Sequence, residues 1–159
     1  MTGHPKKGVP AAPFVPSDFL VPRSLEMAGL RLEPLGAEHN ERDHAAWMSS
    51  IDHIHATPGF DRSEREWPVE MPLEQNLRDL EMHAAHFEER TGFTYSVLDG
   101  DHVVGCVYIY PSERPGFDAD VRSWVSESRA DADIVVWEAV SAWLAASWPF
   151  SNPHYASRR

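Results

Sequence analysis

The chain has 159 residues, which suffice for one domain with a substantial core, and 42% of them are hydrophobic, as in globular proteins. Its formal net charge of −11 disfavours nucleic acids and anionic membrane surfaces as partners. The single cysteine, Cys106, excludes an intrachain disulfide, and the N-terminus has no apolar signal segment, so we expect a cytoplasmic protein.

The first 22 residues are rich in proline and contain few large apolar residues, which predicts a flexible arm. A single domain is expected over residues 23–159. Apolar residues towards the end of the arm are candidates for docking on that domain as an extended segment: Phe14, Phe19, Leu20 and Val21.

The domain begins with a predicted strand, a helix and a loop. Apolar residues nearly alternate over residues 30–35, which predicts a short strand. Residues 38–51 predict a helix, with an apolar stripe formed by His44, Trp47, Met48 and Ile51. Residues 57–72 carry turn residues and many charges, which predicts a loop.

The clearest helical pattern covers residues 73–90. Apolar residues recur there at spacings of four and three: Leu73, Leu77, Leu80, Ala84 and Phe87. Pro72 precedes this stretch and Gly92 follows it, which are favoured positions for these residue types near helix ends.

A meander of three strands is predicted next. Residues 93–98 alternate in polarity, and Asp99-Gly100 is typical of a hairpin turn. Residues 103–110 and 119–125 predict two further strands, and in the first of them Cys106 is expected to be an inert core thiol. Residues 133–148 predict a buried helix, and residues 152–159 a last short strand. This order indicates an α/β fold on a mixed sheet.

The order of elements resembles that of the GNAT N-acetyltransferases over residues 30–155. The segments that carry the likeness are residues 30–35, residues 104–107 with Gly105, and residues 121–125, and they resemble those of bacterial proteins of that family. The resemblance implies a GNAT-like mixed, mostly antiparallel sheet flanked by helices, with the C-terminal part shortened. It also implies an acyl-CoA-dependent N-acetyltransferase that uses acetyl-CoA, needs no metal and acts on an unknown small amine.

The family's coenzyme A loop is altered in this sequence. In the family, an arginine or glutamine, two residues, a glycine, one residue and a glycine or alanine bind the pyrophosphate at a helix N-terminus. Arg129 matches, but Ala132 and Ile134 replace the small residues, and Asp131 and Asp133 add carboxylates. A carboxylate about 4 Å from a phosphate costs roughly 1 kcal/mol in water and roughly 4 kcal/mol at an effective dielectric near 20. The same carboxylates are also typical helix caps.

These substitutions leave two further functions open beside the enzyme. One is a binding or regulatory module that keeps the GNAT fold without binding the cofactor. The other is a homodimer in which a second copy completes the exposed sheet.

By the resemblance, the residues that contact the cofactor are Trp124, Val125, Ser126, Arg129, Ala130, Ala132 and Ile134. For acyl transfer, Asp120 is the candidate base and Tyr155 the candidate acid, with Asp118 and Glu127 as alternative bases. His83 and His86 have a spacing that can share a metal, but no third ligand accompanies them, and we expect no metal site.

Overall fold

The computed structural model describes residues 12–159, and six strands form a single sheet in chain order. The strands are β1 (Leu25–Met27), β2 (Leu30–Pro34), β3 (Phe93–Asp99), β4 (His102–Pro111), β5 (Ala119–Val125) and β6 (Pro153–Tyr155). Neighbouring strands are antiparallel except β5 and β6, which are parallel. The mixed, mostly antiparallel sheet predicted from the sequence is therefore confirmed.

The central meander of β3, β4 and β5 follows the predicted strands closely. Asp99 pairs with His102 across a two-residue turn, in which Gly100 has a φ of 59°. Gly105 lies where β4 and β5 approach most closely, because a β-carbon there would collide with the Trp124 backbone carbonyl. The glycine that contributes to the family resemblance is thus required by strand packing.

Strand β1 is an addition to the predicted elements. Ala28 and Gly29, with φ values of 45° and 83°, form a two-residue turn that pairs Leu25 with Leu32. Only three residues pair on each side, which is too few for a recognisable alternating pattern.

The predicted single helix over residues 38–51 is wrong. A short 3-10 turn (Ala37–His39) leads into α1 (Asn40–Met48), and a separate helix α2 (Ile51–His55) follows. Ser50 leaves the helical conformation, and its buried hydroxyl accepts a hydrogen bond from the backbone N–H of Glu127 at 2.8 Å. A contact with a segment 77 residues away therefore interrupts the helix.

Helix α3 (Leu73–Glu89) confirms the strongest sequence prediction, with one change on its buried face. Leu80 and Phe87 are buried as predicted, but the Leu73 side chain is 38% exposed. Asn76 is buried in the first turn instead, because it hydrogen-bonds to residues of α1. The helix ends at Arg90, which has a φ of 64°.

Helix α4 (Ala132–Ser147) follows β5 after a second 3-10 turn (Glu127–Arg129). Asp131 lies at its N-cap position but makes no side-chain capping bond within residues 12–159, and Asp133 pairs with Arg158. The predicted capping role of these carboxylates is therefore not found. The buried face of α4 is apolar: Ala132, Val136, Val140, Trp143 and Leu144.

The two faces of the sheet carry separate cores. Helix α4 and the arm cover one face, where the Phe14 ring stacks between Phe93 (5.9 Å) and Phe150 (5.1 Å). Of the other predicted docking residues, Phe19 and Val21 pack on this core, whereas Leu20 is 88% exposed. Much of the predicted flexible arm, residues 1–11, lies outside the described residues.

The other face packs against α1, α2 and the N-terminal half of α3. Within residues 12–159 no helix combines the length and the apolar character that a membrane span requires.

Candidate active site

A cavity of about 510 Å³, here called the α3 pocket, opens between helix α3, the loop of residues 57–72 and the sheet. The loop contributes Phe60 and Trp67 to its wall, and β4 contributes Tyr108. The ring centroid of Phe60 lies 5.9 Å from that of Trp67 and 6.2 Å from that of Tyr108. Aromatic rings therefore form part of the wall, and the volume is typical of small-molecule sites.

The loop that forms this wall is fixed by a tight turn and a buried histidine. The Phe60 N–H donates to the Thr57 carbonyl oxygen at 3.1 Å, and Gly59 between them has the φ of 98° that a type II turn requires. The ring nitrogens of His55 contact the carbonyl oxygens of Phe60 and Pro68 at 2.8 and 2.7 Å. Both ends of the loop are thereby held against α2.

A buried polar network lies beneath the pocket. Asp43 of α1 accepts hydrogen bonds from the Asn76 amide at 3.0 Å and from the Cys106 thiol at 3.4 Å. Burial raises the pKa of the Asp43 carboxyl, and burial together with Asp43 raises the pKa of the thiol. Cys106 is therefore the inert core thiol that the sequence predicts.

His83 and His86 line the pocket, and both form a hydrogen bond with Tyr110. Their Nδ1 atoms lie 2.7 and 2.9 Å, respectively, from the Tyr110 hydroxyl. A hydroxyl carries one proton, so it donates to one imidazole and accepts from the other. Burial, followed by the charges of His86 and Arg122, lowers the pKa of His83 to about 4, which leaves its ring neutral at pH 7.

Potential metal ligands meet outside the pocket, where ligand atoms of Glu33, Glu38 and His39 lie within 4.8 Å of one another. The His39 ring is already engaged, by Glu33 at 2.9 Å, by the Gly36 N–H at 3.2 Å and by the Ser96 hydroxyl at 3.0 Å. Ser96, His39 and Glu33 follow the order of a hydrolase triad, but Ser96 is fully buried and out of reach of a substrate. We interpret this group as a polar link between β2 and β3.

A second site lies where β5 and β6 stop pairing. Their register ends at Val121 opposite Tyr155, although β5 continues to Val125. We call the region between residues 121–125 and 155–158 the β5–β6 wedge.

Arg158 fills this wedge, and its side chain is only 4% exposed. Its guanidinium donates to the Ser123 carbonyl oxygen at 2.9 Å and to Asp133 Oδ2 at 2.7 Å. The Tyr155 hydroxyl lies 2.5 Å from the Ser123 hydroxyl, and burial raises the pKa of Tyr155 to about 12. A buried, charge-assisted ion pair thus joins β5 to the first turn of α4.

Comparison with solved structures decides the fold. The ribosomal L7/L12 alpha-N-protein acetyltransferase RimL in complex with coenzyme A superposes with a TM-score of 0.59, at 11% identity, over 77% of this chain and 67% of that one. The chain has the GNAT acetyltransferase fold.

Two further GNAT-fold enzymes give similar values. Ribosomal-protein-S5-alanine acetyltransferase from Vibrio fischeri has a TM-score of 0.55, at 15% identity, over 76% of this chain and 66% of that one. The Salmonella typhimurium acetyltransferase that modifies the N-terminal serine of ribosomal protein L7/L12 has a TM-score of 0.56, at 12% identity, over 74% and 64%. The chain thus spans about two thirds of the length of these proteins. No family model and no curated protein matches the sequence.

Most of the residues predicted to contact the cofactor are instead buried or bonded to other residues of the protein. Trp124, Val125 and Ala132 are buried in the two cores, and the Trp124 indole N–H donates to the Tyr108 hydroxyl at 2.9 Å. Arg129, the one residue that matches the family loop, forms an ion pair with Asp99 at 2.8 Å.

The backbone of the same segment is also largely occupied. Four N–H groups of the kind that bind phosphate already donate to carbonyl oxygens of the chain: those of Ser126, Arg129, Ala130 and Asp133. The side chain of Ile134 is partly exposed. These contacts reduce the number of N–H donors that the segment presents to an anion.

The two predicted catalytic residues do not share a site. Asp120 pairs with Arg122 at 2.9 Å and with His154 at 3.2 Å, whereas Tyr155 lies in the wedge with Ser123. Asp120 and Ser123 are three positions apart on β5, and alternate residues of a strand face opposite sides of the sheet. The assignments of Asp120 and Tyr155 therefore remain predictions.

Sequence reasoning missed Arg158, Arg122 and the buried Asp43. Arg158 and Asp133 are 25 positions apart, and no local sequence pattern predicts their contact. Arg122 gave a weak signal, because it is a charged residue in the middle of a predicted strand.

Proposed function

We propose that this protein is an acyl-CoA-dependent N-acetyltransferase that acts on a small amine bound in the α3 pocket. The observation that carries the proposal is the alternation of residues along β5. Arg122 lines the α3 pocket, whereas its neighbour Ser123 lies in the β5–β6 wedge with Arg158. An amine in the pocket would reach a thioester in the wedge through the opening that forms where β5 and β6 stop pairing.

The chemistry assigns a role to each side of that strand. The amine nitrogen attacks the thioester carbonyl and loses a proton, the carbon–sulfur bond breaks, and the thiolate takes up a proton. In this proposal Asp120 receives the proton of the amine, and Tyr155 protonates the thiolate. The Tyr155 hydroxyl is protonated at neutral pH, and because burial raises its pKa to about 12 it is a weaker acid than an exposed tyrosine.

Acetyl-CoA fits the wedge only if Arg158 releases Asp133. The release is favoured by an incomplete network, because Asp133 Oδ1 is buried without a hydrogen-bond partner among the described residues. A phosphate must nevertheless compete with the Asp133 carboxylate for the guanidinium, so we expect the native protein to bind acetyl-CoA weakly.

The same ion pair favours a second candidate function. If the wedge stays closed, the protein is a binding or regulatory module whose α3 pocket holds a ligand without any acyl transfer. In that case the ion pair keeps acetyl-CoA out of the wedge, and the α3 pocket alone binds the ligand.

A turnover assay distinguishes the two candidates. The full chain and the Asp131→Asn/Asp133→Asn variant would each be incubated with acetyl-CoA and a panel of primary amines, and release of free thiol would be followed. Amine-dependent release, faster in the variant, is the result expected of an acetyltransferase. If neither protein releases thiol above the rate without amine, the enzyme proposal fails and the binding module remains.

A further inference from the structure

Two arginines project into the α3 pocket from its loop and sheet walls. Arg65 comes from the loop of residues 57–72, and Arg122 from β5. Gly59 lies next to both arginines. The Arg65 Nε–H donates to the Gly59 carbonyl oxygen at 3.2 Å, and a β-carbon at Gly59 would lie 3.2 Å from Cγ of Arg122. The turn at Gly59 therefore contacts both arginine side chains.

The positive charge of this pair is only partly neutralised by the protein. Arg122 pairs with Asp120, but Asp120 also contacts His154 at 3.2 Å and Arg114 at 3.8 Å. The Arg65 guanidinium forms no ion pair with any residue in the described part of the chain, and its side-chain hydrogen bond there goes to the neutral Gly59 carbonyl oxygen. Burial and the nearby Arg65 both lower the pKa of Arg122, as expected for neighbouring like charges.

The opposite wall has the opposite character. Helix α3 contributes Asp79, and the floor contributes the buried Asp43. His83, on the same helix, is neutral at pH 7 and therefore adds no positive charge to this side of the pocket. This side of the pocket therefore suits a positively charged, hydrogen-bond-donating group such as a primary ammonium.

The remaining charged groups of the pocket lie at its edge. Glu64 contacts Arg114 at 3.7 Å, and Glu66 is exposed on the loop. The rings of Phe60, Trp67 and Tyr108 also line the pocket. The lining therefore combines two arginines, aromatic rings and the carboxyl groups of Asp43 and Asp79.

From this arrangement we propose that the α3 pocket binds a zwitterion: an amino group and a carboxylate carried on an aromatic or apolar body, as in an aromatic amino acid. The carboxylate lies between Arg65 and Arg122, whose planar guanidinium groups match its two oxygens. The ammonium lies towards Asp79 and Asp43. The proposal goes beyond the proposed function and does not rest on it: an ammonium at Asp79 and Asp43 lies across the pocket from β5, so this binding mode belongs to the second candidate, a module that holds a ligand without acyl transfer.

Binding of three related probes to the full chain tests this inference without acetyl-CoA. L-phenylalanine carries both charges, phenethylamine lacks the carboxylate, and 3-phenylpropionate lacks the amine. A hydrogen bond to a charged group contributes about 1.5–3 kcal/mol, and about 1.4 kcal/mol is a factor of ten. By calorimetry or NMR titration we expect L-phenylalanine to bind at least about tenfold more tightly than either single-charge probe.

Arg65→Gln should lower the preference for L-phenylalanine over phenethylamine by roughly tenfold, since it removes one of the two charge-assisted bonds to the carboxylate and leaves the bond to Arg122. The matched control is Arg62→Gln, in the same loop, where an exposed arginine pairs with Asp52 at 2.7 Å; it should leave the ratio unchanged. Equal affinities of the native protein for the first two probes, failure of all three to bind, or an unchanged ratio in Arg65→Gln would overturn the proposal. Since no acyl donor is present, failure of the acetyltransferase proposal would leave this result unaffected.

Discussion

At the scale of single residues, burial of His83 has a measurable consequence for stability. Its pKa is lowered to about 4 in the folded protein, against an ordinary value of 6.5. Between these values the unfolded chain binds a proton that the folded protein does not, so the free energy of unfolding falls as the pH is lowered. The contribution is complete above pH 6.5 and lost as the pH falls towards 4.

The His83→Gln variant should therefore lose less stability than the native protein between pH 7.5 and pH 4.5. A shift of this size corresponds to about 3 kcal/mol at most, and we expect a difference of about 1–3 kcal/mol between the two losses in urea melts. His102→Gln, at an exposed histidine, is the control and should behave like the native protein. Identical losses for His83→Gln and the native protein would show that the His83 ring is not held neutral.

The sequence predicted the environment of a single residue correctly where its immediate neighbours decide whether it is buried. Cys106 lies in an apolar strand, and that alone indicates a buried thiol. The ion pair between Asp133 and Arg158 could not be predicted in this way. A carboxylate at the start of a helix predicts a cap, and the sequence does not show that a distant arginine binds it instead. The structure provides that cation from the C-terminal segment.

At the scale of elements, helix α3 offers a direct check of the buried face. Leu80 is 3% exposed and packs in the core beneath the pocket, so Leu80→Ala should lower the free energy of unfolding by about 2–5 kcal/mol. Met82 is 46% exposed at the rim of the pocket, and Met82→Ala should cost well under about 1 kcal/mol. Comparable losses in denaturant melts of the two variants would mean that the helix is rotated about its axis.

The elements that were predicted correctly are those whose signals are local. The period of α3, the turn at Asp99-Gly100 and the alternation of β5 each lie within one element, and each was confirmed. The break between α1 and α2 depends on Ser50 binding the backbone of Glu127, a contact made only after the sheet has formed. Burial of Asn76 in place of Leu73 likewise depends on partners in α1.

At the scale of the whole molecule, the fold places two sites on opposite faces of β5. The α3 pocket is built by the loop of residues 57–72, α3 and the sheet, whereas the wedge is filled by residues from the C-terminal segment and α4. The sequence resemblance predicted the wedge region as the cofactor site, but not that an internal ion pair fills it. The pocket was not predicted, because it joins residues from six separate segments of the chain.

The central claim is that the Asp133–Arg158 ion pair occupies the site proposed for acetyl-CoA. Asp131→Asn/Asp133→Asn removes both carboxylates while keeping the shape of the side chains, and it leaves the Arg158 guanidinium free to bind a phosphate. Glu138→Gln is the control, because it removes a carboxylate two turns into the same helix, where Glu138 contacts Arg159.

Titration of the native protein and these variants with acetyl-CoA in a calorimeter is the most direct test. Removing one carboxylate near a phosphate is worth roughly 1–4 kcal/mol, and 1.4 kcal/mol is a factor of ten. We predict weak or undetectable binding by the native protein and by Glu138→Gln, and binding at least about tenfold tighter by Asp131→Asn/Asp133→Asn. Micromolar or tighter binding by the native protein, with no gain in the double variant, would contradict the claim.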